Sequence, residues 1–379
     1  MRTNTILLLV FLIGGAASTS AQTTITGSFL HNGIVRDYRL YIPAIYNPAN
    51  PVPLVFNLHG YTSDNLQQEL YGDFRAIADT ANFLVVHPNG TLDLQGNRFW
   101  NTFGVSAVDD LGFLSALLDT ISTQYSIDAD RVYSTGMSNG GFMSYDLACF
   151  RSERFAAIAS VTGSMLLSRF TSCAATHPTP VMQIHGTADG TVNYNGGSGI
   201  AGIEELVNYW VQFNSCSPTA AFTPVPDVNT TDGCTAEHYV YTGGDAGSTV
   251  EFFKILGGGH TWPGAVFQIG VTNQDFSASK EIWRFFSQYR LGELQNGITE
   301  QRGDDIPFTI GPNPSSDVFH LRFTNAAART ITVVNATGQL VMEVRSAAEE
   351  VIVPVSGPGL FILTVLEGTR RVARRSIRM

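Results

Sequence analysis

The sequence is poor in charge. Only 14% of its 379 residues are charged, and lysine is nearly missing, with Lys254 and Lys280 the two present. Acids outnumber bases to give a formal net charge of -10. A surface of that sign offers no long-range attraction to phosphate backbones or anionic membranes, which argues against nucleic acid as a partner. Cysteine is scarce too: four residues, at 149, 173, 216 and 234, show no CxxC spacing, and the eight histidines include no HExxH pair. No metal site is expected from such a set. Long apolar runs are also lacking. The run Ile6–Ile13 is too short to cross a bilayer, and no later segment offers a membrane span.

What the N-terminus does carry is an export signal. Arg2, the apolar run Ile6–Ile13 and the small residues Thr19-Ser20-Ala21 before Gln22 have the order of a cleavable leader, so residues 1–21 read as a signal peptide. A membrane anchor is the alternative, and it has no second span in its favour. Export predicts a secreted or cell-surface protein and permits disulfides. Of the three pairings that four cysteines allow, Cys149 with Cys173 and Cys216 with Cys234 are preferred, because each closes a short local loop.

The chain is organised around Arg131-Val132-Tyr133-Ser134-Thr135-Gly136-Met137-Ser138-Asn139-Gly140-Gly141. A β-favouring run enters a GxSxG pattern, and a helical pattern leaves it. That is the context of a nucleophile elbow, where a serine sits on a sharp strand-to-helix turn and small neighbours let strand and helix cross closely. By itself the pattern also fits an ordinary glycine-rich turn.

Around it, apolar runs alternate with helical periodicities. Residues 24–43 read as antiparallel edge strands, whereas Val52–Leu58 and Phe83–Pro88 are nearly all apolar, as strands buried on both faces are. Between them, Leu66, Leu70, Phe74, Ile77 and Ala78 recur at helical spacing after Asp64, a candidate N-cap. Asp109 and Asp110 open a second helix. After the elbow come strands at 155–161, 180–185 and 249–255, a helix at 203–213 and a closing helix at 276–289. The alternation predicts an α/β fold with a mostly parallel central sheet, whose active residues gather at the strands' carboxyl ends. Composition changes near Leu291: residues 292–305 read as a linker after a catalytic domain of 22–291. Residues 306–379, with eight arginines against five acids, read as a small C-terminal β-sandwich.

A serine hydroxyl needs a histidine to take its proton and a carboxylate to orient that histidine. Both occur at strand ends in the order Ser, Asp, His. Asp189 stands in the turn Gly186-Thr187-Ala188-Asp189-Gly190, and His260 follows Gly257-Gly258-Gly259. The competing histidines His87 and His185 end strands and read as structural, and His238 reads as a strand residue. An oxyanion would need two N–H donors: the backbone of Asn139, directly after the serine, and that of Tyr61 in the turn His59-Gly60-Tyr61. Trp100 and Trp262 stand near these turns and are candidates to flank a substrate ring, or equally to pack.

With these residues in place, the segments Leu58-His59-Gly60, Asp109-Asp110-Leu111-Gly112-Phe113, Gly136–Met143 and Gly259-His260-Thr261-Trp262-Pro263-Gly264 resemble those of the secreted α/β-hydrolase family. That family groups bacterial polyhydroxybutyrate depolymerases, feruloyl esterases and acetylxylan esterases. The resemblance spans roughly residues 25–290 and implies an α/β-hydrolase fold, a triad of Ser138, Asp189 and His260, esterase activity and no cofactor. The C-terminal module resembles the sorting domains of the bacterial type IX secretion system. Its marks are Pro312-Asn313-Pro314-Ser315, Val334–Gln339 and Gly359–Val365, with Phe361 where tyrosine is common. This implies the secretion machinery as a partner; a carbohydrate-binding or fibronectin-like β-module is the alternative. The reading is then a serine esterase acting on feruloyl or acetyl esters of plant cell-wall polysaccharide. A polyester depolymerase with exposed apolar residues around its cleft, a non-catalytic surface adhesin and a peptidase remain as alternatives.

Overall fold

The structure, a computed structural model, describes residues 22–296, 306, 308–311, 318–335, 339–357, 359–368 and 370–378. The expected signal peptide lies outside them. An antiparallel pair, β1 (Thr23–His31) and β2 (Ile34–Ile42), leads into β3 (Val52–Leu58), α1 (Asn65–Tyr71), α2 (Arg75–Ala81) and β4 (Leu84–Pro88). A small hairpin follows, β5 (Thr91–Leu92) and β6 (Arg98–Phe99), then α3 (Asp110–Gln124), β7 (Ile127–Met137), α4 (Asn139–Phe150) and β8 (Ala157–Val161). The remainder of this part is α5 (Arg169–Ser172), β9 (Val181–Gly186), α6 (Ile203–Phe213), β10 (Ala221–Pro224), β11 (Thr235–Tyr241), β12 (Val250–Leu256), α7 (Ala278–Phe286) and α8 (Leu291–Asn296).

Ten of these strands form one sheet in the order β1-β2-β4-β3-β7-β8-β9-β12-β11-β10. The middle, from β4 to β12, is parallel throughout, and both flanks are antiparallel. All seven side chains of β3 and all five of β8 are buried, as their nearly continuous apolar sequences require when helices cover both faces. One face packs Phe83, Tyr133, Trp262 and Phe285 in one core; on the other, Leu54, Phe56, Trp100 and Phe113 form a second. The C-terminal part folds into two small antiparallel sheets, β13 (Phe308–Gly311), β14 (Val318–Phe323) and β17 (Glu350–Pro354) in one, β15 (Arg329–Asn335), β16 (Leu340–Ser346), β18 (Gly359–Glu367) and β19 (Arg370–Arg378) in the other. Phe319, Leu321, Ile331, Val333 and Leu363 fill the core of this β-sandwich.

Four expectations change. The helical pattern after Asp64 is two helices broken at Gly72-Asp73-Phe74, and α1 turns Leu66 and Leu70 to solvent. Its buried face is polar: Gln68 donates to Asn57 Oδ1, and Glu69 receives Arg39 and Thr24, so hydrogen bonds rather than apolar area hold it down. Second, residues 292–296 of the expected linker continue helix α8, while 297–305 lie outside the described residues. Third, Cys149 and Cys173 are joined in a disulfide, but Cys216 and Cys234 are separate, buried thiols. Cys216 lies beside Ser248, just before β12 begins, whereas Cys234 precedes Thr235, which pairs with Leu256 at the other end of β12. A seven-residue strand puts about 20 Å between them, well beyond the reach of a disulfide. Fourth, Trp100 and Trp262 are both core residues.

Candidate active site

β7 ends at Met137 and α4 begins at Asn139, so Ser138 alone makes the turn, at φ +53° and ψ -119°. This is strained backbone for a residue with a side chain, and the crossing around it over-determines it. A Cβ on Gly140 would stand 2.2 Å from the carbonyl oxygen of Leu58, and one on Gly136 would stand 2.6 Å from the carbonyl carbon of Gly140. As first residue of α4, Asn139 keeps an N–H with no acceptor inside the helix, beside the serine. Its side chain does different work: Oδ1 accepts from Trp100 N–H at 2.6 Å, and Nδ2 donates to Trp100 O and Thr102 Oγ1, both at 3.1 Å.

The turn after β3 approaches the same point. A Cβ on Gly60 would be 3.4 Å from Ser138 Cβ. His59, fully buried, sets the direction of the next peptide. Gly90 N–H donates to His59 Nε2 (2.9 Å), so the ring proton is on Nδ1, which donates to Gly60 O at 2.7 Å. A trans peptide with its carbonyl drawn to the imidazole points its N–H, that of Tyr61, the opposite way. Burial lowers the pKa of His59 to about 4, so the ring stays neutral. The hydroxyl of Tyr61 donates to Asp93 at 2.6 Å.

Asp189 and His260 come together although 71 positions apart: His260 Nδ1–H donates to Asp189 Oδ2 at 2.7 Å. Two close backbone approaches bring this about. A Cβ on Gly186 would stand 2.2 Å from Gly258 O, and Ala188 N–H donates to that same oxygen at 3.0 Å. The other carboxylate oxygen accepts from the N–H groups of Thr191 and Val192 at 2.8 and 2.9 Å. Burial pushes the Asp189 carboxyl up, but the hydrogen bond from His260, the neighbouring imidazoles and the Val192 N–H outweigh it and hold it below its ordinary value. Past His260, Trp262 N–H donates to Tyr71 Oη, at the end of α1. The loop thus runs from the end of β12 back toward β3, across the strand ends between them, where Ser138 sits.

Trp100 and Trp262 are not available to a substrate. Both are buried: Trp100 Nε1 donates to His59 O, and Trp262 Nε1 donates to Ser279 Oγ. An indole ring that fills a core while its N–H reaches a carbonyl or hydroxyl is fully satisfied there. Motif reading alone does not reach the roles of the His59 ring and the Asn139 amide. A signal for the first exists in the sequence: a histidine placed directly before glycine at the end of a largely apolar strand, in His59-Gly60 and again in His185-Gly186.

Residues 36–193 match the model of the Esterase PHB depolymerase family, and residues 309–377 match that of the secretion system C-terminal sorting domain. The chain is 28% identical over 284 residues to a bifunctional acetylxylan esterase/xylanase of Neocallimastix patriciarum, covering 75% of this chain but only 37% of that longer protein. It is 30% identical over 243 residues to a probable feruloyl esterase C of Aspergillus niger, covering 60% of this chain and 82% of the relative. An acetyl xylan esterase from Aspergillus awamori has the same fold, with a TM-score of 0.52 at 13% identity over 69% of this chain and 99% of that one. An elbow serine, an acid–imidazole pair at the same sheet edge and these likenesses converge: the chain belongs to the α/β-hydrolase esterase family of polyhydroxybutyrate depolymerases, feruloyl esterases and acetylxylan esterases, which are carboxylic ester hydrolases, and it ends in a secretion-system sorting domain.

Proposed function

We propose that this protein is a secreted serine esterase that cleaves feruloyl or acetyl esters on plant cell-wall polysaccharide. Ser138 Oγ attacks the ester carbonyl while His260 takes its proton at Nε2 and returns it to the departing alcohol. Asp189 holds the imidazolium, and water then hydrolyses the acyl-serine by the same route. The N–H groups of Asn139 and Tyr61 receive the oxyanion. No cofactor takes part. The catalytic unit is residues 22–291, and residues 306–379 deliver the chain, after removal of residues 1–21, to type IX secretion machinery. The observation that carries this reading is the 2.7 Å contact of His260 with Asp189 at the sheet edge where Ser138 makes its strained turn. The polysaccharide substrate rests on the relatives' names.

The test is hydrolysis of methyl ferulate beside p-nitrophenyl acetate, by the mature protein and by Ser138→Ala. Both esters should turn over, and the substitution should cost about 10⁴-fold or more. Release of acetate alone moves the reading to acetyl esters. No turnover, with no labelling of Ser138 by a fluorophosphonate, returns it to an adhesin.

One observation favours a polyester substrate. The segment after His260 is held beside it by Gly259 N–H on Val271 O at 2.9 Å, and it exposes Val266, Phe267 and Ile269, each more than 60% accessible. Tyr61 and Phe103 are exposed on the loops about Ser138 as well. Neighbouring apolar side chains of this kind suit a solid, apolar polymer. On that reading, changing Phe267 and Ile269 to serine slows attack on a polyhydroxybutyrate film and leaves p-nitrophenyl acetate hydrolysis as it was. Equal rates on the film would exclude it.

A further inference from the structure

Beneath the acid of the triad lies a second histidine with no part in the ester chemistry. His185, near the end of β9, is fully buried, and its neighbours fix where its proton sits. Tyr145 Oη donates to Gln183 Oε1 at 2.7 Å, which makes Gln183 Nε2 the amide's donor end. That nitrogen is 2.9 Å from Gly163 O and 3.1 Å from His185 Nδ1. Nδ1 therefore accepts, and the proton is on Nε2.

Nε2 faces two oxygens, Val192 O at 2.9 Å and Asp189 Oδ2 at 3.4 Å. Val192 in turn donates its own N–H to Asp189 Oδ1. One imidazole N–H thus grips the turn 189–192 from the core side, while the N–H groups of that turn grip the carboxylate. The oxygen it approaches, Oδ2, is the one that receives His260 Nδ1–H. Other titratable groups face His185 from each neighbouring element: Tyr145 of α4 through Gln183, Tyr194 edge-on with ring centroids 6.2 Å apart, and Lys254, its register partner on β12. Lys254 is occupied by Glu204 of α6, at 2.8 Å. Burial lowers the pKa of His185 to about 4, so at neutral pH the ring is an uncharged donor.

We propose that His185 is a positioning residue of the triad: anchored through Gln183 and Tyr145, its Nε2–H holds the Asp189 turn by way of Val192 O, close beside Oδ2, so the carboxylate stays aimed at the His260 ring. This rests on the triad reading of Asp189 and His260.

His185→Phe keeps a ring of similar shape and removes the N–H. With p-nitrophenyl acetate, kcat should fall roughly 10- to 100-fold with KM unchanged, the scale of a small misplacement of a catalytic group. On acidification, activity should be lost at a higher pH than in the parent, because a turn released from His185 weakens the N–H bonds that hold the Asp189 carboxylate ionised, and it then protonates sooner as pH falls. His185→Gln, whose amide reaches the Nε2 position, should restore the rate and the profile. If the phenylalanine variant does not fold, His185→Asn, too short to reach Val192 O, takes its place. The His260 Nδ1–H proton, followed by NMR, gives a readout that needs no turnover. It should exchange faster and titrate away at higher pH in the phenylalanine or asparagine variant, and recover with glutamine. A parent-like rate, pH profile and NMR signal without the donor would overturn the proposal. So would a loss that glutamine fails to restore in a variant that melts like the parent. A parent that hydrolyses no ester refutes the esterase reading instead, and the NMR series then decides the role of His185 alone.

Discussion

Trp100 connects two parts of the site, the turn at His59 and the elbow at Asn139, without touching a substrate. Its indole N–H is bound to His59 O, its ring lies 5.1 Å from that of His59, and its backbone is clasped by the Asn139 amide. Substitution should therefore be felt first as a loss of stability. Trp100→Ala is expected to cost roughly 3–5 kcal/mol in denaturant unfolding, with KM for a small ester little changed in the folded fraction. A raised KM at unchanged stability would place the ring in the substrate site after all. Nearby, Arg36 and Asp110 form a buried ion pair at 2.7 Å, with Arg36 also donating to Asn89 O and Asp110 accepting from Asn101 N–H. Removing the arginine would strand a buried carboxylate, so Arg36→Met should destabilise by roughly 3–5 kcal/mol, measured in the same way.

At the scale of elements, the strands decide which cysteines meet. Cys149 lies in the last turn of α4 and Cys173 follows α5, and the two chain segments also share the bond of Ala174 N–H to Cys149 O at 3.0 Å. The antiparallel pair β11 and β12 does the reverse, holding Cys216 and Cys234 at opposite ends. Unfolding the mature protein without reductant should accordingly expose two reactive thiols per chain, and peptide mapping should find Cys149 linked to Cys173. A thiol count of zero would contradict this pairing. Sequence spacing treats both pairs alike because each closes a short loop; it carries no information on strand direction within the loop.

For the whole molecule, acidity is the condition that tests the burial of polar groups. His59, His87 and His185 are buried and neutral, each with a pKa lowered to about 4 by burial. The unfolded chain would protonate them near 6.5. Between those values the unfolded state binds more protons, so stability falls as pH drops from about 6.5 to about 4. Each histidine contributes up to a few kcal/mol to that fall, since every tenfold difference in proton affinity is worth about 1.4 kcal/mol. Asp189 acts in the same direction lower down. Its contribution is present above the ordinary carboxylate value and is lost as pH falls through its lower folded value. Melting temperatures from pH 7 to pH 4 should show this decline, and His87→Leu, with no hydrogen-bond partner to lose at either ring nitrogen, should flatten it. An unchanged slope in that variant would refute the assignment.

The sequence by itself determined the parallel sheet, the β-rich C-terminal part and the placing of Ser138, Asp189 and His260 past strand ends. These depend on local pattern: continuous apolar runs for strands buried on both faces, glycines where backbones cross, and turn residues at strand ends. Tertiary structure alone decided which polar groups share a carboxylate, which rings face solvent and which thiols are near each other. Those depend on how turns, strands and helices pack in space, which local sequence pattern does not encode. His185 reads as a structural strand-end residue in the sequence, yet it lies 3.4 Å from Asp189, because the turn after β9 folds back over the strand that carries it. Trp262 stands two residues from His260 in sequence, yet its ring is drawn into the core because α7 offers Ser279 and α2 offers Phe74, just before its first turn, as neighbours.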